Sequence, residues 1–165
     1  MRFSPGFHPL PTRAYDAIMN SVFVGRWAKM VLILCVDDKG GMAFNGRRQS
    51  MDRLLRADLL MAAGERALWV SPYTARQFDP VPANLRPAED FLLRAGPGEF
   101  CFAEFPPLTQ VLDRVEGILL YRWNRTYPAD QYLDFDPAAA GFRLISAVDF
   151  PGSSHKTLTK EVYTR

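Results

Sequence analysis

At 165 residues, 48% hydrophobic and 23% charged, the chain is sized for one domain with a buried core. Its net charge of +2 is concentrated at the start, where Arg2, Arg13, Arg26 and Lys29 face only Asp16, so the body is near neutral and is not a polyanion binder on charge alone. No stretch approaches the ~20 apolar residues of a membrane span, and Pro5, Pro9 and Pro11 interrupt any secretory leader.

Residues 1–29 are proline-rich and then weakly helical over Thr12–Met19, either an N-terminal helical arm or an extension ahead of a natural start at Met30. Residues 30–165 read as a single domain. The run VLILCV, Val31–Val36, suits a central strand buried on both faces. Asp37–Gly41 and Asn45-Gly46 are turn signals. Ser50 reads as the N-cap of a helix with Asp52 in its first turn, an apolar stripe at Leu55, Leu59 and Ala62, and an end at Gly64. Ala67–Val70 is a short strand, Thr74–Phe78 a helical turn, and Glu89–Arg94 a short helix in a proline-rich loop. Phe100–Phe105 is a strand, Leu108–Val115 a helix, and Gly117–Arg125 a further strand. Phe142–Val148 and Leu158–Tyr163 form a terminal antiparallel hairpin. Strands alternating with helices predict an α/β domain with a mixed, mostly parallel sheet flanked by helices. Cys35 and Cys101 lie in apolar runs, as buried free thiols of a cytoplasmic protein do. With no CxxC and two histidines, His8 and His155, no metal site is expected.

Several stretches resemble dihydrofolate reductase: CVDDKGGMAFNG, SMDRLLRADLLMAAG, ERALWVSPYTARQF, and ILLYRWNRTYPADQYLDFDPAAAGFRLISAVDF followed by EVYTR. The resemblance implies that family's fold over Val31–Arg165. It also implies where functional groups should be. The family's substrate-helix acid would fall at Leu55 or Arg56, with Asp52 the near candidate for a catalytic carboxylate. Its cofactor motif would fall at Val70–Thr74, where no arginine stands and Thr74 alone is a candidate cofactor contact. Its glycine-rich pyrophosphate turn is replaced by Cys101–Phe105, in which Glu104 would repel a phosphate. Tyr121 falls where the family has a small hydroxyl residue at the pterin.

The resulting expectation is a reductase-like scaffold without the standard reductase activity and with no cofactor. A small planar or anionic ligand would sit in the former substrate cleft, lined by Arg48, Asp52, Arg53, Glu104, Tyr121, Arg122 and Asn124. Two alternatives stay open. One is an NADPH-dependent reductase of a pterin or pyrimidinone. The other is a metal-independent RNA-binding or RNA-processing, ribonuclease-like protein using Arg47, Arg48, Arg53, Arg122 and Trp123. The GSSH segment, Gly152–His155, places serine beside histidine, but no acid or oxyanion signature accompanies it, so a hydrolase triad is not expected.

Overall fold

The computed structural model describes residues 28–165; the arm expected over Thr12–Met19 lies outside them. Strand β1 (Met30–Val36) is buried along its length, half-buried only at Cys35. It lies between two parallel neighbours, β6 (Phe100–Phe102) and β7 (Val115–Arg122), which explains its uninterrupted apolar sequence. The main sheet has seven strands in the order β5-β4-β6-β1-β7-β10-β9, where β4 is Leu68–Val70, β5 Leu85–Pro87, β9 Arg143–Phe150 and β10 Leu158–Thr164. The first five strands in that order are parallel, and β10 and β9 add the expected antiparallel hairpin.

A second, three-stranded antiparallel sheet was not anticipated. It contains β2 (Gly41–Phe44), β3 (Arg47–Arg48) and β8 (Gln131–Tyr132), in the order β3-β2-β8. Strands this short carry no readable period, although their turn does have a signature. Asn45 and Gly46 have φ of 51° and 72°, the paired left-handed conformations of a two-residue hairpin turn.

Helix α1 (Arg53–Ala63) packs Leu55, Leu59, Ala62 and Ala63 on one face of the main sheet, against Val31, Ile33, Leu119, Tyr121 and Val162. Each fully buried leucine contributes about 1.5–3 kcal/mol of burial free energy. The helix ends at Gly64, as the sequence predicts. Its N-cap is Asp52, not Ser50: the carboxylate accepts from the Leu54 and Leu55 amides, and a charged acceptor answers the helix dipole better than a hydroxyl. Two short helices, α2 (Pro72–Ala75) and α3 (Phe91–Arg94), follow β4 and β5. The helix expected over Leu108–Val115 is a 3-10 helix, Thr109–Arg114. It covers the sheet's other face, where Leu32, Leu34, Leu108, Val111, Ile118 and Leu120 form a second core layer. No described helix is long and apolar enough to cross a membrane.

Candidate functional site

Because β1, β4, β6 and β7 run parallel, their carboxyl ends share one edge of the sheet, the side on which α/β sheets hold ligands. The segments leaving that edge carry Asp37, Thr74, Glu104 and Trp123–Asn124. They hold two separate polar clusters.

The first is centred on Glu104, just past β6, with a side chain only 7% exposed. It receives Arg48 Nε at 2.8 Å and Nη2 at 3.1 Å, a two-pronged ion pair. Thr74 Oγ1 and Gln77 Nε2 donate to the same carboxylate at 2.9 and 3.0 Å. Arg48 also stacks over the Tyr73 ring, 4.3 Å from its centroid. A short hairpin, β2–β3, delivers Arg48, and α2 delivers Thr74 behind its Ser71 cap. Three expected site residues, Arg48, Thr74 and Glu104, are thus brought together, bonded to one another.

The second cluster surrounds Asp52. Its Oδ1 accepts from the Ser153 amide at 3.0 Å as well as from its own helix, and Oδ2 accepts from the Ser154 amide at 2.9 Å. His155 Nδ1 lies 3.0 Å from Oδ2. Burial works to raise the Asp52 pKa, but the Ser153 amide, His155, and the Ser154 and Leu55 amides outweigh it and hold the carboxyl far below the usual range. The other imidazole nitrogen, Nε2, is 2.7 Å from Tyr127 Oη and 3.1 Å from Ser50 Oγ. Trp123 stacks on the imidazole at 4.7 Å between centroids and 27° between planes. The acid that GSSH lacks in sequence is therefore Asp52.

A third group is buried between α1 and the sheet. Cys35, Tyr121 and Lys160 stand in one row on β1, β7 and β10. Tyr121 Oη donates to Asp58 Oδ2 at 2.5 Å, and Lys160 Nζ lies 2.9 Å from the same oxygen. Burial raises Asp58 to about 6, the Tyr121 hydrogen bond acting against it, and burial lowers Lys160 to about 7. Burial, followed by the Asp58 charge, pushes the Tyr121 hydroxyl well up; burial and then Glu104 do the same for the Cys35 thiol. Tyr121 is thus fully buried beneath the helix.

The remaining expected residues do not converge. Arg122 points to the opposite face of β7 from Tyr121 and pairs with Glu161. Asn124 adopts φ of 59° and donates to Thr157 O and Thr159 Oγ1, latching two segments. Arg53 is exposed at the first turn of α1. The sequence alone marks none of Asp58, Lys160, Ser50 and Tyr127 as a site residue, and His155 stands in it only as the histidine of GSSH with no acid beside it. A signal existed for two of them: Lys160 shares the strand face of the inward Leu158 and Val162, and Asp58 adjoins the buried stripe of α1.

Two open cavities border the second cluster. One, of about 290 Å3, is lined by Phe44, Asn45, Arg47, Arg48, Gln49, Tyr127 and Pro128. The other, of about 400 Å3, is lined by Trp123–Arg125 and Ser154–Thr157. Neither wall includes a carboxylate, so both favour neutral or anionic molecules. Among the described residues no cluster of His, Cys, Asp and Glu could hold a metal ion.

No protein-family model matches the chain, and no curated protein matches it. Among solved structures it is similar to a dihydrofolate reductase from Enterococcus faecalis, complexed with NADP(H) and RAB-propyl. The two share 10% sequence identity at a TM-score of 0.61, over 84% of this chain and 97% of that one. Strand order, the terminal hairpin and this likeness together give the chain a dihydrofolate-reductase-like fold.

Proposed function

We propose that this chain binds a small planar or anionic molecule at the carboxyl edge of its sheet and does not carry out the standard NADPH-dependent reduction of dihydrofolate. The observation that carries this reading is the ion pair between half-buried Arg48 and buried Glu104 at the end of β6. A pyrophosphate approaching the strand ends beside β6 would meet a carboxylate, and Ala103 presents a Cβ where close backbone approach would be needed. Thr74, the candidate cofactor contact, already donates its hydroxyl to Glu104. These residues do not fit a dinucleotide. The 290 Å3 cavity supports the binding half of the reading, with Arg47, Arg48 and Tyr127 among its lining residues.

The competing reading, an NADPH-dependent reductase of a pterin or pyrimidinone, is favoured by the solved neighbour, which holds NADP(H). Mixing the purified chain with NADPH and dihydrofolate distinguishes the two. Steady absorbance at the nicotinamide band is the expected result, and turnover above a blank overturns the proposal. A thermal-shift series with inorganic phosphate, flavin mononucleotide and a pterin tests binding. A rise in melting temperature with flavin mononucleotide that is lost in Arg47→Ala is expected. No response to any of the three refutes it.

A further inference from the structure

We infer that Ser50, His155 and Asp52 act as nucleophile, base and orienting acid in the cleavage of a small carboxylic ester with a flat alcohol part. The inference deepens the ligand reading above and rests on it, because the ester would occupy the same 290 Å3 cavity. The three groups form a continuous relay. Asp52 Oδ2 lies 3.0 Å from His155 Nδ1, and His155 Nε2 lies 3.1 Å from Ser50 Oγ, both within the reach that nucleophilic catalysis requires. Asp52 accepts two helix amides and two loop amides besides, so it stays ionised and cannot swing away. An ionised acceptor at Nδ1 fixes the tautomer and leaves the Nε2 lone pair to two hydroxyls, Tyr127 Oη at 2.7 Å and Ser50 Oγ at 3.1 Å. Trp123 stacked on the imidazole holds the ring plane.

Access is on the Ser50 side. Ser50 is half-buried, and its chain neighbour Gln49 and its hydrogen-bond partner Tyr127 both line the cavity. Two donors stand near the nucleophile. The Met51 amide, next in the chain, has no acceptor among the described residues, and the Tyr127 hydroxyl, 3.3 Å from Ser50 Oγ, is released from Nε2 once that nitrogen takes the serine proton. A backbone N–H following the nucleophile and a tyrosine hydroxyl suit the charge that develops on a carbonyl oxygen. A purely structural cluster would need Asp52 and His155 to seal the loop onto α1. It would not need the Ser50 hydroxyl, which does not cap the helix.

The chemistry balances without a cofactor. As Ser50 Oγ bonds to the ester carbonyl carbon, its proton moves to His155 Nε2 and the carbonyl electron pair moves to oxygen. Collapse of that adduct breaks the bond to the alcohol, which leaves with the Nε2 proton. Water then attacks the acyl-serine, releasing the carboxylic acid and restoring Ser50.

The test treats the intact chain with a fluorophosphonate and maps the adduct by peptide mass spectrometry, alongside hydrolysis of p-nitrophenyl acetate. One adduct on Ser50 is expected, absent from Ser50→Ala and from His155→Gln, with ester cleavage at least ~100-fold slower in both. His155→Gln can loosen the loop, so Ser50→Ala, checked by circular dichroism for an unchanged fold, is the deciding variant. An adduct elsewhere, no adduct on the folded parent, or unchanged cleavage in Ser50→Ala overturns the inference. If flavin mononucleotide still raises the melting temperature while Ser50 takes no adduct, only the hydrolytic inference falls. If neither occurs, the ligand reading falls with it.

Discussion

Replacing Asp52 by asparagine preserves the size of the side chain and reverses half of its hydrogen bonding. The carboxylate accepts at one oxygen from Leu54, Leu55 and Ser153 amides and at the other from the Ser154 amide and His155. An amide keeps one acceptor and sets its NH2 against N–H donors. The cost can be worked from linkage. Burial opposes ionisation, but the loop and helix amides and His155 outweigh it and hold this carboxyl far below its unfolded value, and hydrogen bonds to a charged group of this kind are worth about 1.5–3 kcal/mol. Because the folded pKa is depressed, this stability is fully present above the unfolded value and is lost as pH falls through the folded one. Asp52→Asn is therefore expected to be less stable by about 2–3 kcal/mol at pH 7, with the gap to the parent closing as the pH falls below about 4. Urea unfolding followed by tryptophan fluorescence at several pH values measures that gap. Asp37 and Asp134 are also held low by backbone amides that overcome their burial, so acid weakens both proteins, and only the difference reports on Asp52. A gap equal at pH 3 and pH 7, or no loss at pH 7, refutes the reasoning.

A Cβ on Gly152 would collide with Asp52 Oδ2 and meet His155 O at 2.8 Å, so Gly152→Ala should destabilise by about 1–3 kcal/mol in urea; an unchanged midpoint contradicts the packing. Arg48→Met leaves Glu104 buried with two neutral donors and should cost about 3 kcal/mol, of which adding Glu104→Gln restores at least half. Additive losses in that double-mutant cycle would show that the pair is not coupled. Burial lowers Lys160 to about 7, so folding favours its neutral form, and the parent should gain stability relative to Lys160→Met from pH 7 towards pH 9. Parallel profiles for the two proteins would dismiss that expectation.

What was legible in the sequence was whatever depends on neighbours in the chain. VLILCV announces a strand buried on both faces, Gly64 ends its helix, and the alternation from Leu158 to Tyr163 yields the outer hairpin. The choice of Asp52 over Ser50 as N-cap was not legible, because it is decided by donors from Ser153 and Ser154, which lie more than a hundred positions away. The same distance hid the acid that His155 finds. Glu104 could be read as hostile to phosphate, but its partner Arg48, 56 positions earlier, could not be named. Arg122 and Asn124 looked like site residues by type; their partners Glu161 and Thr159 come from the neighbouring strand β10 and engage them.

The Asp52 cap also ties the beginning of the domain to its end. During synthesis α1 leaves the ribosome long before Gly152–His155, so its capping carboxylate must wait in water for loop donors that emerge about a hundred residues later. Non-local closure of this kind is slow, since a large loop must be ordered before any contact offsets its entropy. The nascent helix is therefore incompletely anchored until the final hairpin docks, and a chain released short of Ser153 keeps its first half unsealed.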